Sequence, residues 1–242
     1  MKKYSLFLIM MVLPFLSFAQ NTPPSNEELR QRANHSFVVL KENVLLVRLK
    51  SNIKKINALK EYGYVVEAKE FQNIQDVENK EIVKSFKEKF NFCDTYFFFS
   101  ENSNLVRAKD FSEPIFLDDN LKIDPSVVLP TDSFLIAEFG HVMSDPGPYK
   151  DFYISDPEDG FNKRTSYWAG PNLRFGALII MNNQFVQIRR PFPRYARTFD
   201  SLPFLKRSIV NTVARLNKKL FKYEDSYISE FNYSGSSLKL NR

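Results

Sequence analysis

The chain has 242 residues, of which 43% are hydrophobic and 15% aromatic, so it carries enough apolar side chain to build an ordered core and is not a disordered or low-complexity protein. With 7 glycines it contains no glycine-rich phosphate loop and no G-x-S-x-G nucleophile elbow, which argues against nucleotide enzymes and ordinary serine hydrolases. The formal net charge of +6 is a modest excess.

The first predicted element is an export signal over Met1–Ala19. Lys2 and Lys3 supply the positive start, Leu6–Phe18 is apolar, and small residues precede a cleavage point before Gln20. The apolar run of 13 residues would rise roughly 20 Å as a helix, which is too short to span the ~30 Å core of a bilayer. We therefore expect a cleaved leader, a spacer over residues 20–26, and a product without a transmembrane segment.

Export determines how the basic charge and the single cysteine are interpreted. Removing the two leader lysines lowers the formal net charge from +6 to +4. In the periplasm or outside the cell, an anionic glycan, a lipid headgroup or an envelope protein is a more available partner than nucleic acid, which we do not expect. With one cysteine the exported chain forms no internal disulfide, so burial must stabilise it. The sequence leaves the oligomeric state open.

The N-terminal part of the mature chain predicts a helix, a hairpin and a second helix. Ser25 and Glu28 have the spacing of a capping box, which favours a short helix over Glu27–Arg32. The apolar runs Phe37–Leu40 and Val44–Leu49 flank three polar residues and predict a β-hairpin. A helix over Ile53–Tyr62 follows, with a glycine placed to end it.

The middle of the chain predicts a long helix that begins near Ala68 or Asp76 and ends at Phe90. Several short strands and a short helix are predicted after it. Periodicity and composition predict the following: a buried strand Thr95–Phe99, a short helix from Ser100, a short strand Ile115–Leu117 and a strand Ser133–Phe139. Residues 141–172 show little periodicity and form a predicted long loop, and a loop of this length is usually functional, mobile or wrongly assigned.

The C-terminal part predicts two strands and a helix. Strands over Leu173–Met181 and Gln184–Arg189 are joined by the turn-forming pair Asn182-Asn183. A helix over Leu205–Lys222 carries apolar residues along one face, and its basic residues near the end suit the helix dipole. Residues 227–242 form a polar tail that we expect to be partly disordered.

Together these elements predict an α+β fold. We expect a single domain over residues 27–226, with a mixed, largely antiparallel sheet of about six strands and helices packed against it. An α/β three-layer sandwich is the alternative.

The candidate catalytic residues are few. Glu138, at a strand end, and His141 could form an acid–base couple, and Cys93 could act as a nucleophile beside His141. The competing interpretation is structural, because free cysteines are commonly buried and a strand-end carboxylate is commonly exposed. The spacing of His, Cys and carboxylates matches no metal motif, so we expect no metal and no cofactor, and the acidic stretches near Asp118 and Asp156 are expected to be turns.

The most suggestive segment for binding runs from Gln187 to Arg197. Arg190, Arg194 and Arg197 alternate with aromatic rings, among them Tyr195, and two prolines stiffen the backbone. Planar cations and ring faces together suit an anionic or sugar-like ligand, for which Tyr167 and Trp168 could add a stacking wall. The alternative is that the arginines cover aromatic surface and the prolines end a strand.

Several stretches resemble a family of uncharacterised exported proteins of Bacteroidetes-type bacteria. The resemblance rests on the following: the leader end Phe18-Ala19-Gln20, Val44–Leu49, Phe92-Cys93 with Tyr96-Phe97-Phe98, Ile136–Gly140 and Arg190–Pro193. It implies export and brings no activity, ligand or catalytic residue. The sequence thus favours an exported envelope or secreted binding protein. A hydrolase using Glu138 and His141, or a structural subunit of an envelope assembly, remains an alternative.

Overall fold

The computed structural model describes residues 24–142, 150–155, 162–167, 175–200 and 203–237. The predicted leader, Trp168 and the acidic stretch that begins at Asp156 lie outside these residues.

The described chain contains five α-helices and eight strands. The helices are α1 Asn26–Glu42, α2 Ile53–Glu61, α3 Val65–Lys89, α4 Ser103–Ala108 and α5 Ile209–Ser237. The strands are β1 Val44–Leu49, β2 Asp94–Phe99, β3 Phe116–Leu117, β4 Phe134–His141, β5 Lys150–Ser155, β6 Asn162–Tyr167, β7 Gly176–Met181 and β8 Tyr195–Arg197.

The main sheet has the strand order β3-β2-β1-β4-β7-β8. β1 pairs in parallel with β2 on one side and β4 on the other, so that Leu46 lies opposite both Tyr96 and Ile136. The outer pairs β2–β3, β4–β7 and β7–β8 are antiparallel. The prediction of a mixed sheet in an α+β fold is confirmed.

The three long helices α1, α3 and α5 pack on one face of the main sheet. Leu45, Val47 and Leu49 point into this core, where they meet apolar side chains of all three helices. Val44 and Leu46 point to the other face, which is covered by α4 and by loops rather than by a second helical layer. The α/β three-layer alternative is therefore wrong.

Helix α1 contradicts one sequence prediction. The capping box is present, since Ser25 N donates to Glu28 Oε2 at 2.8 Å and Glu28 N donates to Ser25 Oγ at 3.2 Å. The helix continues to Glu42, however, so the predicted hairpin strand Phe37–Leu40 is wrong. Ala33, Phe37 and Leu40 are spaced by four and three residues and form the buried face, and this helical period outweighs the strand-like apolar run.

A polar network joins the end of β1 to helix α3. Asn79 is 1% exposed and its Nδ2 donates to the Lys50 carbonyl at 2.9 Å. Gln75, also buried, accepts from Asn52 Nδ2 at 2.5 Å and donates to Asn79 Oδ1 at 3.4 Å. These bonds fix where the chain leaves β1, because each buried polar group would be costly to leave unpaired.

The C-terminal elements differ from the sequence expectation at their ends. After β7, Gln184–Arg189 is not a strand; Gln187 makes an isolated bridge to Met181, and the next strand is Tyr195–Arg197. Ser208 Oγ accepts from Asn211 N at 3.3 Å and caps α5, so the helix begins at Ile209 rather than at Leu205. It runs on to Ser237, well past Lys222.

The segment predicted as a long loop includes two strands. β5 and β6 pair antiparallel, with Phe152 opposite Thr165. This hairpin belongs to one compact unit of the chain, and the main sheet with its helices belongs to another.

The helix-face core predicts a sharp contrast between two phenylalanines. Phe86 is fully buried, with its ring centroid 5.4 Å from that of Phe90 and 6.2 Å from that of Phe97. We expect Phe86→Ala to lower the free energy of unfolding by about 3–5 kcal/mol, because it leaves a cavity. Phe204 is fully exposed, so Phe204→Ala should change it by less than about 0.5 kcal/mol. Urea denaturation measures both, and equal losses would contradict this core.

Candidate functional site

The predicted acid–base residue Glu138 is engaged in an ion pair. Its Oε2 accepts from Arg48 Nη1 at 2.7 Å, and Arg48 Nε donates to Ser103 Oγ at 2.9 Å. The Arg48 guanidinium also lies 5.6 Å from the ring centroid of Phe185. Through Arg48, Glu138 thus connects β4 to β1 and to the start of α4.

His141 does not meet Glu138. The two residues are three positions apart in β4, and successive side chains alternate between faces, so they point to opposite sides of the sheet. His141 is exposed and lies on the helix side.

Cys93 lies at the other end of the parallel strands. It precedes β2 and packs beside the helix-face core, next to the start of β1, whereas Glu138 and His141 are at the end of β4. Because Asp94 and Phe134 both pair with Val44, five residues of parallel strand, about 16 Å, separate Cys93 from Glu138, and His141 lies farther still. The structure therefore does not bring Cys93, His141 and Glu138 together.

The environment of Cys93 predicts an unreactive thiol. Burial, assisted by the neighbouring charge of Asp94, raises the pKa of Cys93 from 9.0 to about 12. At pH 8 the thiolate fraction should be roughly a thousandfold below that of an ordinary cysteine. We expect a disulfide reagent such as Ellman's reagent to label the native protein very slowly and the guanidinium-unfolded protein rapidly. Native labelling at the unfolded rate would contradict this placement.

Side chains of the predicted arginine–aromatic segment lie together around Tyr195. The Arg190 and Arg197 side chains both lie close enough to the Tyr195 phenol to favour its charged form, by hydrogen bonding and by charge. Although burial disfavours the phenolate, these hydrogen bonds and the two positive charges lower the pKa of Tyr195 below its usual value. Arg190, Arg197 and the phenol are reached from solvent, because both arginines are exposed and Tyr195 is half-buried.

Two further cations come from outside the segment and lie along β8. Lys219 Nζ, on α5, donates to the Tyr195 carbonyl at 2.8 Å and lies 5.1 Å from the centroid of its ring. Arg207 Nη1 donates to the Arg197 carbonyl at 2.6 Å. Both carbonyls belong to the outer edge of the sheet, where no strand of the described residues pairs with β8, and the two cations cover this edge.

Arg215 completes what we call the cation cluster, which consists of Arg190, Arg197, Arg207, Arg215 and Lys219. Burial lowers the pKa of Lys219, and repulsion from Arg215, Arg207 and Arg197 lowers it further, while Tyr195 acts in the opposite direction. Among the described residues, no carboxylate forms a salt bridge with any member of the cluster. No described carboxylate therefore neutralises the positive charge at this site through a salt bridge.

An aromatic wall lies beside the cation cluster. The Arg197 guanidinium lies 4.1 Å from the ring centroid of Phe175, and that ring packs edge-on against Tyr195 at 5.5 Å. Arg194 differs from its neighbours: it is 7% exposed, and its Nη1 donates to the Ile188 carbonyl at 3.5 Å. Arg194 thus supports the segment from inside, while Arg190 and Arg197 present charge to solvent.

Sequence reasoning missed part of this site. It assigned the basic residues of the last helix to the helix dipole, but α5 ends at Ser237, so Arg215 and Lys219 lie far from its C-terminus and that explanation is wrong. Phe175 and Arg207 could not be predicted as part of the site, because they lie outside the segment Gln187–Arg197 and only the folded chain brings them beside it. Tyr167 ends β6 and Trp168 lies outside the described residues, so the predicted stacking wall stays a prediction.

The remaining polar groups of the described chain show no metal centre. No cluster of three or more His, Cys, Asp or Glu side chains suited to a metal ion occurs in the part of the chain that the structure describes. Asp118 Oδ1 instead accepts from the backbone N–H groups of Asn120 and Lys122, which makes it a turn residue. Of the helices described, none has the length and apolarity needed to cross a bilayer.

Comparison of the chain with protein-family models, with curated proteins and with solved structures gave no match.

Proposed function

We propose that this protein is an exported binding protein that holds an anionic group in the cation cluster around Tyr195. The observation that carries the proposal is the convergence of Arg190 and Arg197 on one phenol oxygen, with no carboxylate to neutralise them among the described residues. The export signal predicted over Met1–Ala19 supports an envelope or extracellular setting. There the anionic group is a phosphate, sulfate or carboxylate carried by a glycan or a lipid headgroup.

The geometry favours recognition of an anion in two ways. Arginine presents planar donors that match the oxygens of phosphate, sulfate or carboxylate, and hydrogen bonds to a charged group are stronger than neutral ones. Like charges crowded near Lys219 also repel one another, and a bound anion relieves that repulsion. The Phe175 ring, over which the Arg197 guanidinium lies, adds apolar surface beside the cations.

Anion binding tests the proposal directly. Isothermal titration at low salt with inorganic sulfate, heparin-derived oligosaccharides and phosphatidylglycerol vesicles compares a free anion, a glycan and a lipid surface. Arg190→Gln and Arg197→Gln should each weaken binding about tenfold, since each removes a charge-assisted hydrogen bond. Arg32→Gln, on the exposed surface of α1, makes the same change in net charge and should weaken it less than about twofold.

Equal effects of Arg190→Gln and Arg32→Gln would show that net charge alone attracts the anion, and would contradict a specific site. Binding of none of the three probes would also overturn the proposal. Preference for the oligosaccharide over the vesicle, or the reverse, identifies the source of the anionic group.

The lowered pKa of Tyr195 gives a pH signature. In a spectroscopic titration at 295 nm, one tyrosine should ionise below pH 10, and Tyr195→Phe should remove it. A bound anion disfavours the phenolate, so saturating sulfate should raise this pKa. Because the native pKa lies below the unfolded one, the stability that Tyr195 contributes rises with pH from that lowered pKa towards 10 and is lost below it. An unchanged titration in the presence of sulfate would contradict anion binding beside Tyr195.

A further inference from the structure

A cavity of about 490 Å³ opens at the ends of β1 and β4, on the helix side of the main sheet. Helix α3 forms one wall, and the segment leading into α5 forms the other. Its volume is within the range of sites that bind small molecules. The cavity shares Arg207 with the cation cluster, but neither Arg190 nor Arg197, the two arginines beside the Tyr195 phenol, lines it.

The topology of the sheet explains why a cavity occurs here. The chain leaves β1 for β2 through α2 and α3, and it later returns to the opposite side of β1 as β4. The connection that follows β1 therefore turns away from β4, at the carboxyl ends of two adjacent parallel strands. This divergence leaves the crevice in which open sheets commonly bind ligands.

The cavity has charged walls of both signs. Glu78 and Glu81 line it from α3, while Lys206 and Arg207 line it from the segment before α5. Asp200 and Lys50 complete a set of three carboxylates and three cations. Among the described residues, none of these six side chains forms a salt bridge within 4.0 Å. The opposite charges are thus held apart across the space rather than neutralised by each other.

The floor of the cavity depends on a glycine. A Cβ built on Gly176 would overlap the carboxylate of Asp200 and come within 2.7 Å of Thr198 Oγ1. The buried hydroxyl of Thr198 donates to that carboxylate and fixes its direction. Gly140, in the neighbouring strand, also lines the cavity.

We infer that this cavity binds a zwitterionic ligand with an ammonium group and a carboxylate, of the class of amino acids and short peptides. The ammonium group lies towards Glu78 and Glu81, and the carboxylate lies towards Lys206 and Arg207. Equal numbers of carboxylates and cations match a ligand without net charge, which neither a simple anion nor a simple cation satisfies. This inference does not rest on the proposed function of the cation cluster.

Nuclear magnetic resonance of the full chain tests the inference, with the backbone amide signals of Gly140 and Gly176 as reporters of the floor. The probes are a panel of free amino acids and of di- and tripeptides, together with the N-acetylated and C-amidated forms of each peptide. We expect saturable shifts of both signals with at least one unblocked member of the panel. Blocking either end should weaken binding about tenfold or more, because one charged contact is lost.

Matched variants assign the two walls. Glu81→Gln should weaken binding of the unblocked peptide about tenfold but leave binding of the N-acetylated peptide unchanged. Lys206→Gln should likewise weaken binding of the unblocked peptide about tenfold but leave binding of the C-amidated peptide unchanged. Glu88→Gln lies on the same helix outside the cavity, in an exposed pair with Lys84, and should have no effect. Arg190→Gln should leave peptide binding unchanged, which separates this site from the cation cluster.

Three results would overturn the inference: no saturable shift of either glycine signal with any unblocked member, equal affinity for blocked and unblocked peptides, or equal effects of Glu81→Gln and Glu88→Gln. Thermal unfolding of each variant ensures that a loss of binding is not a loss of folding.

Discussion

The parallel pairing of β1 with a strand on each side is the constraint on which the rest of the structure depends. Five of its six residues are buried, and they alternate between the two faces of the sheet. Because parallel neighbours require crossover connections, the chain must pass over the sheet twice, and this places α3 on the helix face. The same pairing aligns the ends of β1 and β4, where the buried bond from Asn79 to the Lys50 carbonyl fixes the start of the connection.

Strand β8 differs from β1, because it is the last strand of the sheet in the described part of the chain. An open edge invites pairing with another chain, and charged side chains are a common protection. Here Lys219 and Arg207 donate to the outward carbonyls of Tyr195 and Arg197, so protection of the edge brings cations to the phenol. Arg190 adds a further positive charge beside the Tyr195 phenol. The residues that protect this edge are thus the same residues that form the proposed binding surface.

Sequence patterns predicted local features better than distant contacts. The capping box at Ser25 and the buried strand at Thr95–Phe99 follow from neighbouring residues, and both are present. The prediction of a strand over Phe37–Leu40 is wrong, because four consecutive apolar residues resemble a buried strand and obscure the helical spacing by which α1 packs on the sheet. The arginines around Tyr195 were visible as a segment. The contribution of Lys219 was not, since it depends on where α5 packs against β8.

The central claim is that the cation cluster holds an anion against Tyr195. Nuclear magnetic resonance with ¹³Cζ-labelled tyrosine tests it most directly, because Tyr195→Phe assigns the signal by removing it. During a titration with inorganic sulfate at constant ionic strength, the Tyr195 signal should shift and saturate while the signals of the other tyrosines stay in place. A shift of all tyrosine signals alike, or no saturable shift at Tyr195, would contradict the account.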